Sequence, residues 1–208
     1  MRLNKIYKTG RIGISLVLIF LVSCKAEKNT TFKKKELVDM VYPLLDTENS
    51  RWFFFSSASR PFGMVNLNPD TEIKGDWGGG YKYTTDTIKG FSHVHEWQMS
   101  ALSVMPVTIT TENSANIFSD FYSKFSHKSE KIFPGYHSLI LDRYQIKAEL
   151  TSTKRVGFHK YTFPLNTQKG ILLNLNTILG PCENTNGKLE KDNDYELSGS
   201  LVLSTNFR

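Results

Sequence analysis

The sequence predicts an all-β fold, a β-sandwich. Beyond Gly63, short apolar or β-branched runs recur at close spacing, and several alternate with polar residues. Glycine, proline and aspartate separate these runs, a pattern typical of antiparallel sandwiches with half-buried strands. The helical signal is weak: Phe32–Leu45 has apolar residues near helical spacing, and Pro43 should end or break any helix there.

The pattern predicts eight or nine short strands. The clearest are Met64–Leu67, Gly90–His95, Leu102–Thr110, Tyr136–Leu141, Ile146–Thr153, Val156–Phe163, Ile171–Leu175 and Leu197–Leu203. We expect Pro69-Asp70 to close the first strand and Lys154-Arg155 to form a hairpin turn. The continuous run Ile171–Leu175 predicts a strand buried on both faces. Strand character persists to Phe207, which would leave an unpaired edge, so we expect a sandwich that is incomplete at its C-terminus.

The N-terminus predicts export. Four cations precede an apolar run, Ile12–Val22, which is too short to span a bilayer but suits a signal peptide. The run ends Leu21-Val22-Ser23-Cys24 and resembles a bacterial lipobox, which implies cleavage before Cys24 and acylation of its sulfur. An ordinary cleaved signal with an incidental cysteine is the alternative. The predicted localisation is an exported, membrane-anchored lipoprotein, held in the periplasm or at the cell surface by its lipid anchor alone.

Charge excludes a nucleic-acid partner. The full chain carries 26 lysines and arginines against 20 aspartates and glutamates. Four of these cations lie in residues 1–23, the predicted signal peptide, and five more with two acids lie in residues 24–36, which we interpret as a polar tether. Residues 37–208 are therefore nearly neutral and form the predicted domain. If Cys24 is acylated, Cys182 has no disulfide partner, and we expect a buried thiol.

The stretch from Arg60 to Trp97 holds the candidate contact residues. Trp77 lies among glycines, where it could present a flat apolar face to a sugar, whereas Trp97 could either contact ligand or cap the sandwich. On a strand, His93 and His95 would face the same side and could bind a ligand, pack structurally, or bind a metal if a third ligand converged. Acids are frequent here, but spacing cannot show that two converge as glycoside hydrolysis requires.

Eight ordered blocks resemble the N-terminal part of glycoside hydrolase family 92. They include Val41-Tyr42-Pro43 with Thr47, the run Arg60–Val65, Asn68–Thr71, Gly80-Tyr81, Gly90–His95, Met105-Pro106, Phe125–His127 with Glu130 and Pro134–Tyr136, and Ala148–Thr151 with Arg155–Pro164. The family's members are calcium-dependent exo-α-mannosidases. The resemblance implies a galactose-mutarotase-like supersandwich followed by an (α/α)₆ catalytic domain, which would carry the calcium ligands and the catalytic acid and base.

The resemblance implies that this chain forms one wall of a mannose-binding site. Trp77 matches a sugar-contacting tryptophan, and Phe62, Gly63, His93, His95 and Trp97 are the other candidate contacts. Residues Glu96–Met99 replace the family's longer glycine-rich loop, so the resemblance does not carry over the leaving-group contacts or the linkage preference. The expected partners are a mannose-containing glycan and the (α/α)₆ domain, and the chain alone should be inactive. The alternative is a stand-alone carbohydrate-binding or structural surface lipoprotein without catalysis.

Overall fold

The computed structural model describes residues 36–45, 47–48, 57–71, 80–95, 102–177 and 182–205. Residues 37–208 form one compact unit. The chain enters it through a 3₁₀ turn, Leu37–Met40, whose residues are all exposed. The strands follow in the order β1 Asn68–Asp70, β2 Thr87–Ile88, β3 Gly90–Ser92, β4 Ser103–Ile109, β5 Ser123–Lys124, β6 Lys131–Phe133, β7 Tyr136–Leu141, β8 Ile146–Ser152, β9 Gly157–Thr162, β10 Gln168–Asn174, β11 Cys182–Lys191 and β12 Leu197–Thr205.

Two four-stranded antiparallel sheets dominate the described part of the chain. The first has the order β1-β3-β4-β10 and the second the order β6-β7-β8-β9. Strands β2 and β5 form a small pair, and β11 with β12 forms a separate two-stranded sheet. No helix among the described residues has the length and hydropathy needed to cross a membrane.

The core is aliphatic and aromatic and receives side chains from both large sheets. In strand β8 buried and more exposed side chains alternate, because successive side chains point to opposite faces of a strand, and one face is turned to the core. Fully buried side chains come from β3, β4, β7 and β8 and include Phe91, Met105, Leu139, Leu141, Ile146 and Leu150. The predicted all-β sandwich is confirmed.

Three sequence expectations about strands were wrong. Strand β1 is Asn68–Asp70 and not Met64–Leu67, because a segment that looks like a turn pairs with β3 and is completely buried. Strand β3 stops at Ser92, short of the two histidines expected within it. Among the described strands β10 has β4 as its one neighbour, and Ile171 is 48% exposed, so the strand is not buried on both faces. The Cys182 side chain, expected to be a buried thiol, lies outside the described residues.

Candidate functional site

Two imidazoles face each other between the two large sheets. His93, just after β3, approaches His159 of β9 with 2.8 Å between their Nε2 atoms. One of these nitrogens must carry the shared proton, because two lone pairs or two N–H groups at this distance would repel. On the other side of the ring, His159 Nδ1 lies 2.7 Å from the Tyr161 hydroxyl. A continuous run of three polar groups therefore crosses from the first sheet to the second.

Burial keeps the three side chains His93, His159 and Tyr161 uncharged. Loss of hydration lowers the pKa of His93, and it lowers the pKa of His159 to about 4, with the neighbouring imidazole adding to the effect. Burial also raises the pKa of Tyr161. Gly157 permits the approach, because a Cβ there would lie 2.6 Å from His93 Cδ2. At neutral pH the arrangement can donate and accept hydrogen bonds but holds no formal charge.

His95 has different partners from His93 and a different environment. It is 1% exposed, and its Nε2 lies 2.7 Å from Asp70 Oδ1 and 3.0 Å from Ser92 Oγ. Its Nδ1 contacts the backbone carbonyl of Asn66. The carbonyl and the carboxylate are both acceptors, so each ring nitrogen of His95 faces an acceptor. His95 thereby ties β1 to the segment after β3.

Asp70 has one oxygen that the His95 pair does not use. The residue is completely buried, and its Oδ2 makes no hydrogen bond within the described part of the chain. A buried carboxylate oxygen without a partner is costly, so such groups often mark a functional position. Asp70 directly precedes the stretch that contains Trp77.

A second buried network has a carboxylate at its centre. Glu130 accepts hydrogen bonds from the Tyr81 hydroxyl (2.9 Å), His127 Nδ1 (2.6 Å) and His137 Nε2 (2.7 Å). On its other side, His137 Nδ1 lies 2.6 Å from Ser57 Oγ. Burial opposes the charge on Glu130, but its three donors outweigh burial and lower its pKa. Burial also disfavours the charged form of His137, and for an imidazole this lowers the pKa.

The Ser57–His137–Glu130 order is that of a hydrolase triad, but the setting is structural. His137 is completely buried and Ser57 is 5% exposed, so a substrate carbonyl has no access to the hydroxyl. The network instead connects the segment before β1, which holds Ser57, with the segment before β6, which holds Glu130, and with His137 in strand β7. Sequence reasoning missed this role. The signal was the spacing of His127 and Glu130, which lie three residues apart in the block that starts at Phe125.

Phe62 is displayed at the tip of a strained turn. The Gly63 N–H donates to the Arg60 carbonyl at 2.9 Å, and Phe62 has a φ of 58°. That is the geometry of a type II turn, at the position where glycine is usual. The Phe62 ring is 99% exposed, and the Met64 N–H anchors the turn by donating to the Lys154 carbonyl at 2.7 Å. Strain combined with full exposure is typical of a contact residue.

The structure places four of the seven sequence-predicted site residues. Phe62 and His93 are accessible to different degrees, Gly63 supports the turn, and His95 is enclosed. Trp77, Trp97 and the proposed acylation site Cys24 lie outside the described residues. The described residues contain no cluster of three or more histidines, cysteines, aspartates or glutamates that could hold a metal. The calcium implied by the resemblance therefore has no ligand set in the described part of the chain.

Comparison with known proteins adds a family and a fold. The model of the glycosyl hydrolase family 92 N-terminal domain matches residues 40–208. The family GH92 α-mannosidase BT3965 from Bacteroides thetaiotaomicron, solved in complex with mannoimidazole, is 26% identical with a TM-score of 0.68 over 81% of this chain and 23% of its own. The GH92 family glycosyl hydrolase ccman5 is 22% identical with a TM-score of 0.65, over 83% of this chain and 25% of its own.

A third solved structure shows the same fold. The family GH92 inverting mannosidase BT2199 from Bacteroides thetaiotaomicron VPI-5482 is 20% identical with a TM-score of 0.57, over 82% of this chain and 29% of its own. The chain thus spans about a quarter of the length of these solved relatives. No protein with a curated description matches it by sequence.

Proposed function

Because the chain belongs to glycosyl hydrolase family 92, whose N-terminal domain it matches over residues 40–208, we propose that it supplies one wall of a mannose-binding site. The reaction would be hydrolysis of an α-mannoside, with the catalytic groups on a separate domain. The observation that carries the proposal is the match to the N-terminal part of an α-mannosidase at 26% identity and a TM-score of 0.68.

The geometry of the described residues supports a contact role. An exposed aromatic ring such as Phe62 can stack on the apolar C–H face of a sugar, and Trp77 is proposed to act in the same way. His93 is partly exposed and uncharged at neutral pH, and because Nε2 is bonded to His159 and Leu102 supplies a backbone hydrogen bond, we propose that the ring contacts the sugar through its exposed edge. We propose that Gly63 and His95 position these groups, with His95 acting from inside the fold, and that Trp97 lies at the same surface.

Binding is tested by titrating the compact unit, residues 37–208, with methyl α-mannoside and with methyl α-galactoside. We expect a millimolar dissociation constant for the mannoside, weakened about tenfold in Trp77→Ala and several-fold in Phe62→Ser. Phe133→Ser is the matched control, because Phe133 is 59% exposed on β6, in the second large sheet. Equal loss in the control, or the same affinity for both sugars, would refute the proposal.

Catalysis is tested separately. We propose that residues 24–208 release no mannose from an α-mannoside, even with calcium, because the predicted catalytic acid and base belong to the (α/α)₆ domain. Mannose release above the rate without protein would contradict this. If the chain binds the sugar but releases no mannose even together with an (α/α)₆ domain, the alternative is favoured, a stand-alone carbohydrate-binding lipoprotein.

We also propose that the chain is exported and anchored through acylated Cys24. The support is the sequence of the apolar run and the residues directly before the cysteine. Metabolic labelling with a palmitate analogue in a bacterial host should label the wild-type chain and leave Cys24→Ser unlabelled. Labelling of both variants to the same extent would exclude Cys24 as the acylation site.

A further inference from the structure

The hydrogen bonds that connect His93, His159 and Tyr161 run in one direction. Burial lowers the pKa of His93, and a hydrogen bond with the backbone of Leu102 opposes this effect. A backbone group that favours the protonated imidazole is a carbonyl, because it accepts a hydrogen bond and donates none. His93 Nε2 lies 2.8 Å from His159, so the nitrogen that donates to the Leu102 carbonyl is Nδ1. His93 Nε2 is therefore left with a lone pair.

The lone pair on His93 determines where the next two protons lie. His159 Nε2 must donate to it, because two bare nitrogens at this distance would repel. A neutral imidazole has one N–H, so His159 Nδ1 is an acceptor, and the Tyr161 hydroxyl donates to it across 2.7 Å. The opposite direction would bring His93 Nδ1 and the Leu102 carbonyl together as two acceptors. We call Tyr161, His159 and His93, hydrogen-bonded in this order, the polar relay.

Packing holds the polar relay in place from inside the fold. His159 and Tyr161 lie two residues apart on β9, and their side chains therefore point to the same face of the sheet. The completely buried ring of Phe91 packs against both, with centroid distances of 6.3 and 6.1 Å. At the other end, a Cβ on Gly157 would lie 3.0 Å from His93 Nε2, so the backbone of β9 closes against the His93 ring. The orientation of His93 is thus fixed by its contacts with the second sheet.

We propose that His159 and Tyr161 are positioning residues for sugar binding, which act by fixing the orientation and the tautomer of His93. The inference rests on the proposed function, because it concerns the same mannose-binding site. Both ring nitrogens of His93 are engaged inside the fold, so its exposed edge presents C–H groups. Such an edge packs against the apolar C–H face of a hexose and offers no hydrogen bond to the hydroxyls. The polar relay therefore specifies an apolar contact with the sugar at His93.

Titration of the complete chain with methyl α-mannoside tests the positioning role. Tyr161→Phe removes the first donor of the polar relay and should weaken binding about fivefold, the effect of one lost hydrogen bond. His159→Leu should weaken binding at least as much, because it removes both the donor and the acceptor. His159→Gln keeps a donor towards His93 and an acceptor towards Tyr161, so it should bind within about twofold of the wild type.

Tyr144→Phe is the matched control. Tyr144 is also buried, and its hydroxyl donates to the Phe121 carbonyl at 2.9 Å, so the variant loses the same kind of hydrogen bond outside the polar relay. We expect it to bind the mannoside with wild-type affinity. Equal losses in Tyr144→Phe and Tyr161→Phe would reveal a general effect on stability and would overturn the proposal. Wild-type affinity in Tyr161→Phe, or equal affinities of His159→Leu and His159→Gln, would overturn it as well.

Long-range proton–nitrogen NMR spectra of the histidine rings at pH 7 test the direction of the polar relay without any sugar. We expect the Nδ1–H tautomer for His93 and the Nε2–H tautomer for His159, and a mixture of tautomers for both in Tyr161→Phe. A proton on His93 Nε2 in the wild type would overturn the proposal. Should the wild type show these tautomers yet bind no mannoside, the positioning role falls together with the proposed function. Should Trp77→Ala weaken binding and Tyr161→Phe not, the positioning role alone falls.

Discussion

Replacing His159 with glutamine is expected to flatten the loss of stability of this domain in acid. In the folded chain, burial and the neighbouring His93 lower the pKa of His159 from 6.5 to about 4. Above pH 6.5 the imidazole is neutral in both folded and unfolded states, and its full contribution to the free energy of unfolding is present. As the pH falls from 6.5 towards 4, the unfolded chain takes up a proton that the folded chain excludes, and stability declines.

The magnitude follows from the difference between the two pKa values. Each tenfold change in protonation equilibrium corresponds to about 1.4 kcal/mol, so His159 accounts for up to about 3 kcal/mol between pH 6.5 and 4. Glutamine preserves hydrogen bonding towards His93 and Tyr161 but does not titrate in this range. Between pH 6.5 and 4 the free energy of unfolding of the wild type should therefore fall by about 3 kcal/mol more than that of His159→Gln.

Urea unfolding at intervals of half a pH unit measures this difference. Thr162→Ser, an exposed and non-titrating change on the same strand, should follow the wild type across the whole range. His93, His137 and Glu130 also have lowered pKa values in the fold, so both proteins lose stability in acid. The reasoning is refuted if wild type and His159→Gln have parallel pH profiles between 6.5 and 4.

Three further outcomes are expected. Glu130→Ala should cost about 3–5 kcal/mol in urea unfolding, because it leaves buried donors such as His137 unpaired, whereas exposed Glu112→Ala should cost under about 0.5 kcal/mol. Gly90→Ala should destabilise by about 1–3 kcal/mol, since φ is 154° and a Cβ would lie 2.0 Å from Ser103 Oγ; the Gly90→Ala/Ser103→Ala pair should recover part of the loss. Ser57→Ala should cost about 1 kcal/mol without altering any sugar binding measured by titration.

The hairpins were predictable because their signals are local. Strand β7 matches its predicted bounds, Tyr136–Leu141, and β8 and β9 differ from prediction by one residue at each affected end. The bend at Lys154-Arg155 falls where expected, and the Thr153 N–H closes it on the Val156 carbonyl at 2.8 Å. Alternating side chains and a short polar connection decide such pairs, and both are visible in sequence.

Strands set by distant partners were not predictable in the same way. Asn68-Pro69-Asp70 is a turn sequence by propensity, but pairing with β3 and complete burial make it β1. Strand β11 was missed because Cys182–Lys191 is polar and contains glycine and asparagine, so it lacks an alternating pattern. Its register is fixed by β12, with which it forms an exposed hairpin.

The site residues show the same division. Phe62 could be identified as a candidate from sequence because the run Arg60–Val65 resembles a family motif, whereas its exposure is visible only in the structure. The partner of His93 could not, because His159 lies 66 residues away and enters from the other sheet. The expectation that His93 and His95 act together assumed one continuous strand, yet β3 ends at Ser92 and the two rings bond to different groups.

All five histidines of this chain take part in internal hydrogen bonds, and this limits how pH effects on ligand binding should be interpreted. His93 pairs with His159, His95 with Asp70, and both His127 and His137 with Glu130. Burial lowers the pKa of His93, His137 and His159, so acid weakens the fold in the same pH range in which a contact with sugar would be tested. A loss of mannoside binding below pH 6 counts as contact chemistry only if unfolding at that pH is excluded. Conversely, binding that persists in His159→Gln at pH 5 and fails in the wild type would trace the loss to the fold.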